Sequence, residues 1–168
     1  LVSGEALIRN IELGRSVARS FGGRPSNAGF VCDIFGHNSQ MPQILAGFGI
    51  PAAFIWRGLN QIDKRHIIWR GADGTALPSY RFGHVGYCSY AAAVRHAFDP
   101  DYPAEAEQVD QDLASYLSME VQHTEVDPIL FFDGGDHQEW DPDVYAVLRE
   151  RMRQPPEGYE IAHTTLDD

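Results

Sequence analysis

The chain is short of positive charge. Thirteen Lys and Arg stand against twenty-four Asp and Glu, a formal net charge of −11 over 168 residues. Nucleic acid and anionic membrane surfaces are met by basic patches, and none is visible, which argues against both as partners. Cysteine is scarce too: Cys32 and Cys88 make neither a metal-type pair nor a disulfide framework. A reducing compartment fits that usage, which favours the cytoplasm. No run approaches the roughly 18 apolar residues that cross a bilayer, and no repeat or low-complexity tract interrupts the chain. An initiator Met and a basic-then-apolar leader are missing as well, so targeting is not readable. An opening on Leu1-Val2, directly before a helix start, leads us to expect a polypeptide that begins earlier.

What is present is an ordinary globular composition, 43% hydrophobic and 22% charged, and enough length for one domain with its own core. Ser3 is placed to cap a helix with Glu5 in its first turn, and Leu7, Ile8, Ile11, Val17, Ala18 and Phe21 keep helical spacing up to Gly22-Gly23. Ala28 to Cys32 is a short apolar run bounded by turn formers, a buried strand ending at Asp33. Ser39 is expected to cap a second helix, with Pro42 in its first turn and Gly49 beyond its end. Ala52 to Trp56 reads as the next strand. After Asn60 the pattern changes, and His66 to Arg70 and Ala76 to Phe82 with an Asp73-Gly74 turn suggest a hairpin. Residues 83 to 102, rich in Gly and Tyr, give no clear period. A third helix is expected from Pro103 through Leu117, a strand over Pro128 to Phe132, a fourth helix opened by Asp141-Pro142, and a last strand over Gly158 to His163. Strands alternating with amphipathic helices predict an α/β fold, with a parallel sheet covered by helices and one hairpin insertion.

In such sheets functional groups gather at the carboxyl ends of strands. Two expected strands end alike, in Asp33-Ile34-Phe35-Gly36-His37 and in Asp133-Gly134-Gly135-Asp136-His137, and these loops are expected to share one rim. Asp33 follows five apolar residues, where burial would make an unpaired charge costly and a metal or cation would relieve it. It could equally cap the following loop. Asp136 and His137 read either as an exposed turn or as a carboxylate–imidazole pair brought close to a ligand by glycines. His37 stands between pocket lining and support. Of Trp56, Trp69 and Trp140, more often core residues, Trp56 followed by Arg57-Gly58 is the best candidate for a sugar platform. Tyr87 and Tyr90 are further pocket candidates. His66, His84, His96, His123 and His163 show no ligand spacing and read as structural.

The run Phe30-Val31-Cys32-Asp33-Ile34-Phe35-Gly36-His37-Asn38-Ser39-Gln40-Met41-Pro42-Gln43-Ile44-Leu45, continuing to Gly47-Phe48-Gly49-Ile50, resembles the signature of family 38 glycoside hydrolases. Leu1 to Asn10 is similar to the preceding helix of bacterial members, Phe54 to Gly58 to the next strand, and Gly135-Asp136-His137 to a later Gly-x-Asp-His block. The likeness spans nearly the whole chain in the family's order. It implies an internal segment, cut at both ends, of a (β/α)7 barrel in a retaining α-mannosidase with a catalytic zinc. It further implies that Asp33 is both nucleophile and zinc ligand, and that Asp136, His137, Trp56, Arg57 and His37 face the carbohydrate. Cys32 replaces the family's Pro before the nucleophile, and Met41 a common Leu. The family's His-x-Asp zinc pair is not in this chain, so the remaining Zn2+ ligands are expected outside it. The acid/base is expected between residues 83 and 127, with Asp99 and Asp101 as candidates. The open edges of an incomplete barrel would invite a homo-oligomer. Two other readings stand beside the glycosidase: a non-catalytic fragment or pseudoenzyme, and another metal-dependent barrel hydrolase such as a polysaccharide deacetylase.

Overall fold

The computed structural model describes residues 3–59, 61–99, 101–102, 105–139 and 141–168. The chain divides into two units, Leu1–Ile62 with His66–Arg81 and Thr165–Asp168, and Asp63–Arg65 with Phe82–Thr164. Leu1-Val2, Asn60, Pro103 at the expected start of the third helix, and Trp140 lie outside the described residues.

In the first unit α1 spans Gly4–Ser20, and the Ser3 hydroxyl accepts the Ala6 N–H at 3.2 Å, satisfying one of the donors that every helix start exposes. Strands β1 (Ala28–Val31), β2 (Ala52–Ile55) and β4 (Ala76–Arg81) run parallel, and β3 (His66–Arg70) pairs antiparallel with β4, giving the order β1-β2-β4-β3. The expected hairpin forms, with the Asp73 carboxylate accepting the Thr75 N–H and hydroxyl at its turn. It is less an insertion than expected, because β4 also supplies the third parallel strand. Helix α2 covers Met41–Gly47. Asn38 rather than Ser39 opens it: Oδ1 takes the Gln40 N–H at 2.8 Å and the carbonyl takes the Met41 N–H at 3.0 Å.

Strand alternation sorts the side chains. Val31, Ala53, Ile55 and Leu77 pack with Met41, Leu45 and Ile50 in one buried cluster, each large side chain contributing about 1.5–3 kcal/mol. Gly29 lies under α2, and a Cβ there would stand 2.9 Å from Leu45 Cδ1 and 3.3 Å from the Ala52 carbonyl oxygen, so the missing side chain lets the helix approach the strand. On the other face Phe30, Phe54, Tyr80 and His66 fall in one cross-strand row, with neighbouring rings 6.4, 6.0 and 5.5 Å apart. Such pairs add modestly to the sheet.

The second unit is helical. A 3-10 turn at Gly86–Cys88 leads into α3 (Ser89–Ala93), followed by α4 (Ala106–His123) and α5 (Pro142–Arg153). Its core is Tyr90, Val94, Val109, Leu113, Tyr116 and Val144. Tyr90 is therefore a core residue and not the pocket candidate expected. Asp141 caps α5 as expected, Oδ1 accepting the Asp143 and Val144 N–H groups at 3.1 and 3.0 Å. The Arg65 guanidinium donates to both Glu120 oxygens at 2.7 and 2.8 Å, with the side chains only 4% and 2% exposed.

Two expected strands do not form. Pro128 to Phe132 and Gly158 to His163 carry no ladder, and no strand occurs among the described residues of this unit. Phe131 places its ring on Tyr90 and Tyr116, and Phe132 meets Phe82 edge-on. A short apolar run specifies burial, and aromatic packing satisfies that as well as a sheet does. Residues 158 to 160 are exposed, so they offer no face to bury. Strand–helix alternation thus holds for the first half of the chain and fails for the second. Among the described residues no helix is long and apolar enough to cross a membrane.

Candidate active site

The carboxyl ends of β1 and β2 bring four of the sequence-predicted residues together. Asp33 follows β1 by two positions, and Trp56 and Arg57 follow β2 directly. The parallel register Val31↔Ile55 sets these ends side by side, and the Arg57 N–H reaches the Cys32 carbonyl at 3.4 Å. The Arg57 guanidinium donates through Nε to Asp33 Oδ1. It lies 4.5 Å from the Phe35 ring centroid and 4.0 Å from that of Trp56, a cation between two aromatic faces. His37 Nε2 donates to the Arg57 carbonyl at 2.8 Å, and its ring meets Trp69 edge-on at 5.2 Å. His37 Nδ1 is buried and has no partner among the described residues.

Burial of Asp33 was the expectation, and it is not what the fold gives: the side chain is 40% exposed and that of Arg57 is 35% exposed. The turn begins at Cys32, which is buried in place of the carboxylate. The cation that relieves the charge is Arg57. An ion pair this exposed is worth about 0–1 kcal/mol, so its consequence is orientation more than stability. Oδ1 is committed to Arg57, and Oδ2 has no protein donor among the described residues. Beneath it, burial pushes the Cys32 thiol up to about 12, and the Sγ–H points to the Phe54 carbonyl at 3.5 Å. It is a packing group and not a nucleophile. Trp56, the suggested sugar platform, has one face taken by Arg57. A cavity of about 560 Å³ between α1 and α2 is lined by Ile8, Glu12, Gln40 and Gln43 and contains none of these residues.

Asp136 and His137 belong to the second unit. Both are exposed, and His137 takes a left-handed backbone conformation, φ +57°. The Tyr87 hydroxyl donates to Asp136 Oδ1 at 3.0 Å. The loop is held from both sides by Arg95, whose Nη1 donates to Asp133 Oδ1 at 2.7 Å and Nη2 to the Glu139 carbonyl at 3.0 Å. Arg95 carried no sequence signal, because residues 83 to 102 have no readable period. Asp99, a candidate acid/base, uses Oδ1 to accept the Asp101 N–H at 3.1 Å in a local turn that contains both candidates. Beside this loop a polar cavity of about 320 Å³ is lined by Arg95, His96, Asp99, Tyr102, Glu139 and Asp141. His96 stacks on Tyr102 with centroids 3.8 Å apart, and both bond Asp112, at 3.1 and 2.6 Å. Burial and the Asp112 carboxylate push the Tyr102 hydroxyl up to about 12.

The donor chemistry for a metal is thin. Among the described residues no group of three or more His, Cys, Asp or Glu is arranged to hold an ion, and a catalytic zinc takes three protein ligands. Asp33 is one donor, already shared with a guanidinium. The segment does not by itself fit a zinc site.

A crystal structure of an α-mannosidase from Enterococcus faecalis V583 superposes with a TM-score of 0.75 at 23% identity, over 99% of this chain and 18% of that one, a likeness of fold. A protein of Halalkalibacterium halodurans, named provisionally as a mannosylglycerate hydrolase, is 26% identical over 162 residues, 89% of this chain and 17% of that protein. Alpha-mannosidase G of Dictyostelium discoideum is 31% identical over 81 residues, 46% of this chain and 8% of its own length. The chain therefore spans about one-sixth of the relatives it matches along most of its length. The profile of the Glycosyl hydrolases family 38 N-terminal domain covers residues 1–168, and the chain belongs to that family.

Proposed function

We propose that these residues are part of the catalytic barrel of a retaining α-mannoside hydrolase, with Asp33 as the nucleophile. The observation that carries the reading is the environment of Asp33: a carboxylate at a parallel strand's carboxyl end, turned by Arg57 through Oδ1, with Oδ2 left open. In a retaining reaction Oδ2 attacks the anomeric carbon as the bond to the leaving oxygen breaks, and a second carboxyl protonates that oxygen. Water then cleaves the glycosyl ester and restores the carboxylate. Asp136 and His137 are assigned to the sugar's side: they are exposed, follow a pair of glycines, and Asp136 is oriented by Tyr87. His37 fixes the backbone that carries Arg57, and Trp56 and Arg57 border the sugar.

The segment works within a longer polypeptide and is inactive alone, a reading supported by the small share of its relatives that it spans. The zinc of such enzymes would take its other donors from outside these residues. The test is a fluorinated mannosyl donor that forms the glycosyl ester faster than it hydrolyses, applied to the whole polypeptide. Mass spectrometry of the digest should find the label on the peptide holding Asp33, and Asp33→Asn should lose turnover by roughly 10³-fold or more. A label on another carboxylate, or near-normal turnover in Asp33→Asn, sinks the assignment.

A further inference from the structure

The loop that carries Asp136 has no sheet to hold it. Phe131 and Phe132 lead into it without a ladder, and α5 starts only at Pro142. Glycines at 134 and 135 leave its backbone free to wander unless something outside fixes it. That fixing comes from the preceding stretch of the same unit. Arg95, just beyond α3, spans the loop, one guanidinium nitrogen on the Asp133 carboxylate and the other on the Glu139 carbonyl. These partners stand at opposite ends of the Gly-Gly-Asp-His segment. The inner wall is Cys88 and Ala91: a Cβ on Gly135 would be in ordinary contact with Cys88 Sγ at 3.7 Å and Ala91 Cβ at 3.8 Å, and tight against Gln138 Cγ of the loop itself at 3.0 Å. Tyr87, the neighbour of Cys88, holds Asp136 itself.

Arg95 is an odd choice for stability alone. Its side chain is only 8% exposed, Asp133 remains 28% exposed, and the buried Nε–H has no partner among the described residues. A buried cation with an orphaned donor is a poor way to fill a core. A forked cation is a good way to tie two separated acceptors into one geometry, because the guanidinium's donors are fixed relative to one another.

We propose that Arg95 is a positioning residue of the reaction, a clamp across residues 133–139 that presents Asp136 and His137 in a single arrangement. The proposal rests on the assignment of Asp136 to the sugar's side. The experiment uses the whole polypeptide with Arg95→Lys, Arg95→Met and, as a separate arm, Asp136→Asn. Two quantities are read: kcat and KM on an aryl α-mannoside, and amide hydrogen exchange of residues 133–139 against that of α4 and α5. Lysine keeps the charge and can reach one acceptor but not both. Arg95→Lys should speed exchange in 133–139 while leaving α4 and α5 as they were, and lower kcat by roughly 10–10²-fold, the cost of a small misplacement, with KM little changed. Arg95→Met should go further in the same direction. Wild-type exchange in 133–139 for Arg95→Lys overturns the clamp, as does exchange that rises equally throughout the unit. Full turnover in Asp136→Asn instead removes the assignment beneath the proposal, and the exchange data still decide whether Arg95 holds the loop. Should Arg95→Met fail to fold, Arg95→Lys carries the test.

Discussion

Two loops bear the carboxylates, and they are held by different means. Asp33 leaves a strand whose neighbour is fixed by a parallel register, and Arg57 arrives beside it because β1 and β2 end in register, Val31 opposite Ile55. Asp136 leaves a stretch with no ladder and is held by side chains, Tyr87 and the Arg95 fork. Backbone pairing positions the root of the first loop, and side chains then orient its carboxylate. The second depends on a few polar groups at fixed places. The same contrast runs through the interiors: one unit packs an apolar sheet-and-helix cluster, with Ser79 and Arg81 of β4 also buried, while the other packs aromatic rings and encloses an ion pair.

That contrast can be broken by substitution. The largest effect is expected at Glu120→Ala, which strands the Arg65 charge in the interior and should cost about 3–5 kcal/mol, read as a lower denaturant midpoint at unchanged slope. A loss of about 1 kcal/mol or less, the worth of an exposed pair, would show that the second unit does not lean on buried polar pairing. Next is Arg57→Met. If orientation is its role, kcat of the whole polypeptide falls by roughly 10²-fold while stability moves by about 1 kcal/mol at most; equal losses in both would erase the distinction between loops. The helix caps should respond alike in the two units, Ser3→Ala and Asp141→Ala each costing about 0.5–2 kcal/mol, measured by thermal melting.

The smallest effect is a pH dependence in the second unit. Burial opposes ionisation of Asp112, but hydrogen bonds from Tyr102 and Gln108 and the charge of His96 outweigh it and hold the carboxyl below its usual range. A carboxyl lowered on folding adds stability above its unfolded value, about 3.9, and that contribution drains as pH falls through the folded value. Acid titration of the melting temperature below about pH 4 should show this slope, and Asp112→Asn should flatten it.

Where the fold was legible, a period or a turn spelled it out. Ser3, Asp141-Pro142 and Asp73-Gly74 each name their element by chemistry that acts locally, and the apolar runs before Asp33 and after Pro51 are strands because each finds the other. Pro128 to Phe132 looks the same on paper, yet Phe131 and Phe132 are absorbed by Tyr90, Tyr116 and Phe82, partners that no local pattern announces. The site divides along the same line. Asp33, His37, Trp56 and Arg57 lie in strand-end motifs and do assemble, whereas Arg95, remote in sequence from the loop it spans, is visible only in three dimensions. Exposure of Asp33 was missed because the turn starts one residue early and buries Cys32 in its place.

Gly29 turns this packing into a constraint on sequence drift. Even a methyl group there would stand 2.9 Å from Leu45 Cδ1 and 3.3 Å from the Ala52 carbonyl oxygen, so the Leu45 side chain would have to shift within a filled core. A saturation screen of this region scored only by sugar release should therefore find two intolerant positions four residues apart. On the proposed assignment one tolerates nothing because its carboxylate reacts, the other because a side chain there has no free space.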